Sequence, residues 1–301
     1  GPIVGRIINA EPGSGVRAAF EKVTGVSSVR LLAPFAKQRF STWFKNRPTV
    51  TITEPQGKVT VFPTCLVEFQ ATAIGKDLVK VYERNGIECN NTGAGCCGAP
   101  WLHSGNVEEF TKVAEKNVKT LAAEVRAGTD IVVPQPTCSY IIKEDYPTYV
   151  ADESLQADAE LVAAHTYDAA EYLMIVHRGD NTSLDTDFTG ELLGEITYHV
   201  PCHLRALNIS LPSGDLMRLT GAKVELVEQC SGNDAMWGFR AGNEDIAIPI
   251  AKKLGEQITM VGGDAVAGDC HLANTAIVER TGREARHPLQ IIARAYGIAE
   301  E

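Results

Sequence analysis

Thiols are the residues of this chain with the most chemistry to offer, and they fall at Cys65, Cys89, Cys96, Cys97, Cys138, Cys202, Cys230 and Cys270. With Cys89 set aside they form two series. Cys65 to Cys96 spans 31 positions and Cys202 to Cys230 spans 28, while Cys96 to Cys138 spans 42 and Cys230 to Cys270 spans 40. Eight cysteines in 301 residues are too few for a disulfide scaffold, so the thiols are free to bind metal. Four of them, Cys65, Cys96, Cys97 and Cys138, suit an iron-sulfur cluster or an all-cysteine zinc site. The CxxC pairing common in compact zinc sites is missing from the chain, which favours a cluster.

The stretch Gly93-Ala94-Gly95-Cys96-Cys97-Gly98 also reads as GxGxxG, the pattern of a nucleotide phosphate loop. That reading needs a strand immediately before it and an acidic residue closing a strand about 20 residues later. Glu108, Glu109 and Glu115 lie instead in a helical pattern. The glycines therefore serve the cysteines: Gly95 and Gly98 let the backbone turn tightly and present N–H groups to anionic sulfur. In the second series Ser231 takes the place of the adjacent cysteine, leaving Cys202, Cys230 and Cys270. His203 and His271 each follow a cysteine and offer a nitrogen ligand, although neighbouring side chains on extended backbone point opposite ways. Asp234 and Asp269 are weaker candidates, and Cys89, unmatched in the repeat, is expected in the core.

The elements that must position these thiols repeat as well. "VTVFPTC" matches "ITYHVPC", each a β-branched run closed by proline and cysteine. Each is read as a strand ending at a thiol. "GKDLVKVYERNG" and "SGDLMRLTG" then read as short helices stopped by Gly86 and Gly221. Residues 106 to 127 place Val107, Phe110, Val113, Ala114, Val118, Leu121 and Val125 at helical spacing, and residues 242 to 256 form the counterpart. Strands alternating with helices imply a parallel sheet covered by helices. The expected fold class is thus α/β, two internally repeated domains, each a small, mostly parallel sheet flanked by helices. Their expected bounds are a basic leader over 1–57, a first domain over 58–150, a helical linker and loop over 151–194, and a second, degenerate domain with a C-terminal helix over 195–301.

The net charge of −10 is uneven: residues 1 to 50 carry +6 and the remainder −16. An acidic body argues against nucleic acid as a partner. The basic, aromatic leader either docks on a partner subunit or an anionic membrane surface, or wraps over the first domain. No run of residues reaches the ~18 apolar positions of a membrane helix and no secretory leader is visible, so a cytoplasmic location is expected. The chain opens Gly-Pro without Met, and is expected to continue a longer polypeptide.

The segments "FPTC", "GAGCCGAPWLHSGN", "PQPTCSYIIKEDYPTYV", "YHVPCHLRALNI", "EQCSGNDAMWGF" and "GDCHLANTAI" together resemble the paired, cysteine-rich CCG domains of heterodisulfide-reductase-related iron-sulfur proteins. Within that group the order and wording are most similar to the C subunits of anaerobic glycerol-3-phosphate dehydrogenases. The resemblance implies electron transfer, with a flavin-containing dehydrogenase subunit as donor and clusters passing electrons towards quinone, at a peripheral contact on the inner face of the membrane. Disulfide reduction and a zinc-stabilised, non-redox scaffold are the alternatives. By position it implies that Cys65, Cys96, Cys97 and Cys138 hold a [4Fe-4S] cluster. In the second domain Cys202, Cys230 and Cys270 would hold a [4Fe-4S] or [3Fe-4S] cluster. A further cysteine three residues after the last is part of the family pattern, and Ile141 stands there instead. Related C subunits also carry a ferredoxin-type module, whose CxxCxxCxxxCP motif is not in this sequence; a partner or an upstream segment would supply it. Trp101 and His103 are expected to border the site as packing or hydrogen-bonding residues.

Overall fold

A computed structural model describes residues 2–93 and 95–300. It contains two four-stranded sheets, and every strand pair in both is parallel. The first has β1 (Gly57–Val61), β2 (Ile87–Asn91), β3 (Asp130–Val133) and β4 (Thr166–Asp168) in the order β2-β1-β3-β4. The second has β5 (Glu195–His199), β6 (Lys223–Val227), β7 (Ala265–Gly268) and β8 (Ala285–Arg286) in the order β6-β5-β7-β8. The repeat seen in the cysteine spacing is therefore a repeat of topology. Central strands of such a sheet are covered on both faces, and Val59, Thr60, Val61, Ile131, Val132 and Val133 are all fully buried.

In each sheet the chain leaves the first strand for one side and then crosses it to build the other. That reversal opens a crevice beyond the carboxyl ends of the first and third strands, where open α/β sheets place ligands. The cysteines lie there, though not at the strand ends themselves. Cys65 is in the first turn of the helix Thr64–Phe69, Cys138 is inside Pro136–Tyr140 and Cys202 opens Cys202–Ala206. Cys270 caps His271–Thr281, and Cys96, Cys97 and Cys230 sit on loops beyond β2 and β6. Helix starts rather than strand ends carry most of the thiols, which sets helix-terminal N–H groups beside them.

The helix Val107–Arg126 is capped by the side chain of Asn106, which accepts from the N–H of Glu109 at 3.2 Å. It buries Phe110, Ala114, Val118, Leu121 and Val125 against Ile131 and Val133. Val107, expected in that stripe, is exposed at the first position of the helix. The counterpart helix runs over Glu244–Val261, beyond the expected end, and stops at Gly262 with φ +82°.

The stretch 151–194, read as a link and loop, contributes β4 to the first sheet. The two repeats also share a core. The C-terminal helix Pro288–Ala295 packs on Thr72–Arg84 of the first repeat, joining Leu78 and Tyr82 to Leu289, Ile292 and Tyr296, with Leu173 and Leu216 between them. Arg294 pairs with the buried Asp77 at 2.7 Å across the same layer.

The basic leader wraps over both repeats. Arg30, fully buried, pairs with Glu279 at 3.1 Å and reaches Asn233 at 3.0 Å and the Gly238 carbonyl. Arg17, equally buried, donates to the carbonyls of Ser27 at 2.9 Å and Arg30 at 3.0 Å. Further on, Phe40 enters the first core, and a Cβ on Gly75 would come within 2.6 Å of its ring. The leader's aromatic residues Phe40, Trp43 and Phe44 are thus spent on packing.

Candidate metal centre

The carboxyl ends of the two sheets face each other across one cavity of about 360 Å3. Its walls hold Cys65, Cys96, Cys97 and Cys138 from the first repeat and Cys202, Cys230 and Cys270 from the second. Cys89 does not line it and lies in the core beside Val61 and Ile87. Two sites inferred separately for the two halves are therefore parts of one chamber. Among the described residues, no three His, Cys, Asp or Glu side chains are drawn close enough together for a single metal ion.

The first-repeat thiols perturb one another. The neighbouring thiols of Cys65 and Cys97, with the Gly98 N–H 3.4 Å from the sulfur, hold the Cys96 thiol down to about 3. Cys65 and Cys97 are pushed the other way by the neighbouring thiols and by burial. In the second repeat the Cys230 thiol, and then Arg205, hold Cys202 down to about 5, while Cys230 is pushed up. Burial pushes Cys270 up, although Gln135 donates to its sulfur at 3.4 Å. Soft thiolates with N–H donors aimed at their sulfurs are the donor set that an iron-sulfur cluster requires. By that chemistry the residues fit such a group.

Once metal is removed, these differences order the thiols by reactivity, since thiolate is the attacking form. In the metal-free chain at pH 6, Cys202 should be alkylated by iodoacetamide well ahead of Cys230, although both are exposed. Mass spectrometry of the labelled peptides reads the order, and equal labelling would refute it.

The loop glycines have unequal roles. Gly98 has φ +90°, and a Cβ there would stand 2.8 Å from the Phe110 ring. Gly232, its counterpart, has φ +73°, its Cβ would meet the Ala247 carbonyl oxygen, and its N–H points at Cys230 at 3.4 Å. Gly95 is exposed, and a Cβ there would meet no described atom within 4 Å. Alanine at 98 or 232 should therefore lower stability by about 2 kcal/mol or more, from left-handed strain plus contact. Alanine at 95 should stay within about 0.5 kcal/mol. Urea unfolding of the three variants checks this ordering.

Residues that the sequence reading passed over hold the thiol loops. Asn117 lies on the buried stripe of its helix and donates to the Cys96 carbonyl at 2.8 Å and to the Tyr146 hydroxyl at 2.8 Å. Tyr146 in turn donates to the Cys97 carbonyl at 2.9 Å. Gln135, buried on the first repeat, spans the chamber: besides Cys270 it accepts from the His271 N–H at 3.3 Å. Thr64, just before Cys65, has φ +60°, rare for a β-branched residue, and Asp234 and Ala235 on the chamber wall are also left-handed.

The other expected residues are distributed as follows. His203 lines the chamber, bonds Thr137 across the repeats at 3.2 Å and stacks on His103 with ring centroids 6.0 Å apart. Trp101 is exposed and off the chamber wall, and His271 does not line the chamber. Asp234 is exposed on the wall, and Asp269 is buried, accepting from Tyr198 at 2.5 Å and from Ser213.

The cysteine-rich domain family, CCG, matches the chain twice, over residues 59–143 and 196–275. The C subunit of anaerobic glycerol-3-phosphate dehydrogenase from Escherichia coli is 26% identical over 303 residues, covering 98% of this chain and 72% of its own length. Lactate utilization protein A from Geobacillus kaustophilus is 30% identical over 192 residues, 62% of this chain and 76% of that protein. The B subunit of the fumarate reductase (CoM/CoB) of Methanothermobacter marburgensis is 26% identical over 237 residues, 76% of this chain and 43% of that polypeptide. Among solved structures, a hypothetical protein from Helicobacter pylori aligns with 98% of this chain and 56% of its own, at TM-score 0.42 and 11% identity.

Proposed function

The chain belongs to the CCG cysteine-rich domain family, and from that premise we propose that it is an iron-sulfur electron-transfer subunit of a dehydrogenase complex. In this reading it takes electrons from a flavin-containing partner and passes them towards quinone, with a ferredoxin-type module of the complex as neighbour. The observation that carries the reading is the single chamber lined by seven thiols from both repeats. A bound cluster supplies one-electron chemistry without side-chain acids or bases. Cys65, Cys96, Cys97 and Cys138 would hold the first cluster, a [4Fe-4S], and Cys202, Cys230 and Cys270 the second.

The remaining residues support those ligands. Gly98 and Gly232 give N–H bonds to sulfur, Asn117 and Tyr146 fix the first loop, and Gln135 ties the halves together. The related polypeptides of anaerobic glycerol-3-phosphate dehydrogenase and fumarate reductase support a place in a multi-subunit complex. No described helix is long and apolar enough to cross a membrane, so quinone contact in this proposal is peripheral, at the inner face.

The chamber is also large enough to admit a small molecule, which keeps disulfide reduction as a second reading. Both are tested by reducing the anaerobically purified chain with dithionite, removing excess reductant, and adding a water-soluble quinone or a low-molecular-weight disulfide. Re-oxidation of the visible absorbance by quinone alone is expected. Stoichiometric release of thiol from the disulfide would instead establish the second reading.

A further inference from the structure

The second repeat supplies three cysteines where the first supplies four, and several candidates for a fourth ligand that the sequence offers are engaged or misplaced. His203 is tied to the first repeat, its Nδ1 bonding Thr137 at 3.2 Å and its ring stacked on His103, and it remains on the chamber wall with Asp234. Asp269 has both carboxylate oxygens engaged, by Tyr198 at 2.5 Å and by Ser213. His271 lies off the chamber wall, and Ser231 stands where the adjacent cysteine would be.

One side chain without an assigned role meets the requirement. His199, the last residue of β5, lines the chamber and is 3% exposed. Its Nε2 lies 3.0 Å from the carbonyl oxygen of Gln229, the residue directly before Cys230. A carbonyl can only accept, so Nε2 carries the proton and Nδ1 keeps a bare lone pair. That Nδ1 is buried and has no hydrogen-bond partner among the described residues. A buried acceptor left without a partner is costly and needs an explanation. Imidazoles that ligate metals usually donate the other ring N–H to a carbonyl or carboxylate, which fixes tautomer and ring orientation. His199 shows that arrangement, and the orienting carbonyl belongs to the loop that carries Cys230.

We propose that His199 Nδ1 is the fourth ligand of the second-repeat cluster, completing Cys202, Cys230 and Cys270. The inference rests on the reading that this repeat holds a cluster. It makes that cluster a [4Fe-4S] with mixed ligation rather than a three-iron centre. Because histidine in place of cysteine raises the potential of an iron-sulfur centre, the second cluster would be the stronger oxidant of the two, and electrons would flow from the first repeat to the second.

The test uses the full chain, purified anaerobically and reduced, in a Cys97→Ser background that leaves the second repeat's signal alone. Pulsed electron paramagnetic resonance should show one strong nitrogen coupling that changes isotope pattern on 15N-histidine labelling. His199→Ala should lose that coupling together with the reduced-state signal and, on re-oxidation, show the signal of a three-iron form. His199→Cys should restore four irons, without nitrogen and at a lower potential. Circular dichroism of both variants confirms that they fold. Absence of nitrogen coupling in the parent, or its survival in His199→Ala, overturns the ligand assignment. Cys202→Ser separates the two failures. If it removes iron while nitrogen coupling is absent, only the histidine is wrong; if it removes none, the cluster reading of this repeat falls too.

Discussion

Replacing Cys97 with serine is expected to strip the first repeat of its iron and sulfide while leaving the second repeat's content in place. Cys97 is 2% exposed, and its thiol is pushed up by the neighbouring Cys138 and Cys96 and by burial. Its backbone is fixed by the Tyr146 hydroxyl at 2.9 Å. Serine matches the shape but offers a hard oxygen with a high pKa to soft iron. The fold should survive, because serine nearly matches the thiol in volume within the first-repeat cluster that Cys97 joins, and the layer shared by the repeats and the second-repeat core are built without it, yet the variant should melt at lower temperature through loss of linked binding energy. Iron and acid-labile sulfide per chain, measured anaerobically beside circular dichroism, provide the check. Full retention of iron and spectrum would contradict the assignment of this loop.

Arg30→Ala is expected to cost about 3 kcal/mol of stability, the low end of the range for breaking a buried ion pair. The guanidinium is fully buried and pairs with Glu279, whose side chain is 7% exposed. The cost sits at the low end because Glu279 keeps the Leu31 N–H at 2.8 Å and Arg280 at 3.3 Å. The same guanidinium reaches Asn233, which itself donates to the Leu272 carbonyl at 2.6 Å, two residues beyond Cys270. Loss of Arg30 should therefore also loosen the 230–239 loop, and second-repeat iron should be lost to chelator faster than first-repeat iron. Urea unfolding and chelation kinetics read the two effects. A change under about 1 kcal/mol, the range of a solvent-exposed pair, would show that the leader is not anchored by this contact.

The cysteine spacing and the β-branched runs made the repeated α/β architecture legible, because parallel strands buried on both faces read as continuous apolar stretches. The strands β4 and β8 were not legible, since three residues and two residues, respectively, carry no period. Nor was the facing of the two repeats, which depends on the layer joining Tyr82, Leu216 and Leu289. Arg30 and Glu279 are 249 positions apart, and no local pattern announces such a pair. Asn117 left a trace, a polar residue on an otherwise apolar helical stripe. His199 left none: within "ITYHVPC" it reads as one more alternating strand residue, and what distinguishes it is an unpartnered Nδ1 on a residue of the chamber wall. Gly98 and Gly232 were legible as glycines of the thiol loops, whereas the lack of any steric demand at Gly95 required the backbone.

If the shared chamber holds two iron-sulfur clusters that exchange electrons, the decisive measurement is anaerobic iron and sulfide analysis combined with electron paramagnetic resonance of the fully reduced chain. Two clusters bound on opposite walls of one chamber should give iron and sulfide in near-equal amounts and two signals broadened by mutual spin coupling. Protein carrying zinc, with no sulfide and no dithionite-bleachable absorbance, would contradict the proposal and leave the thiols as a structural scaffold.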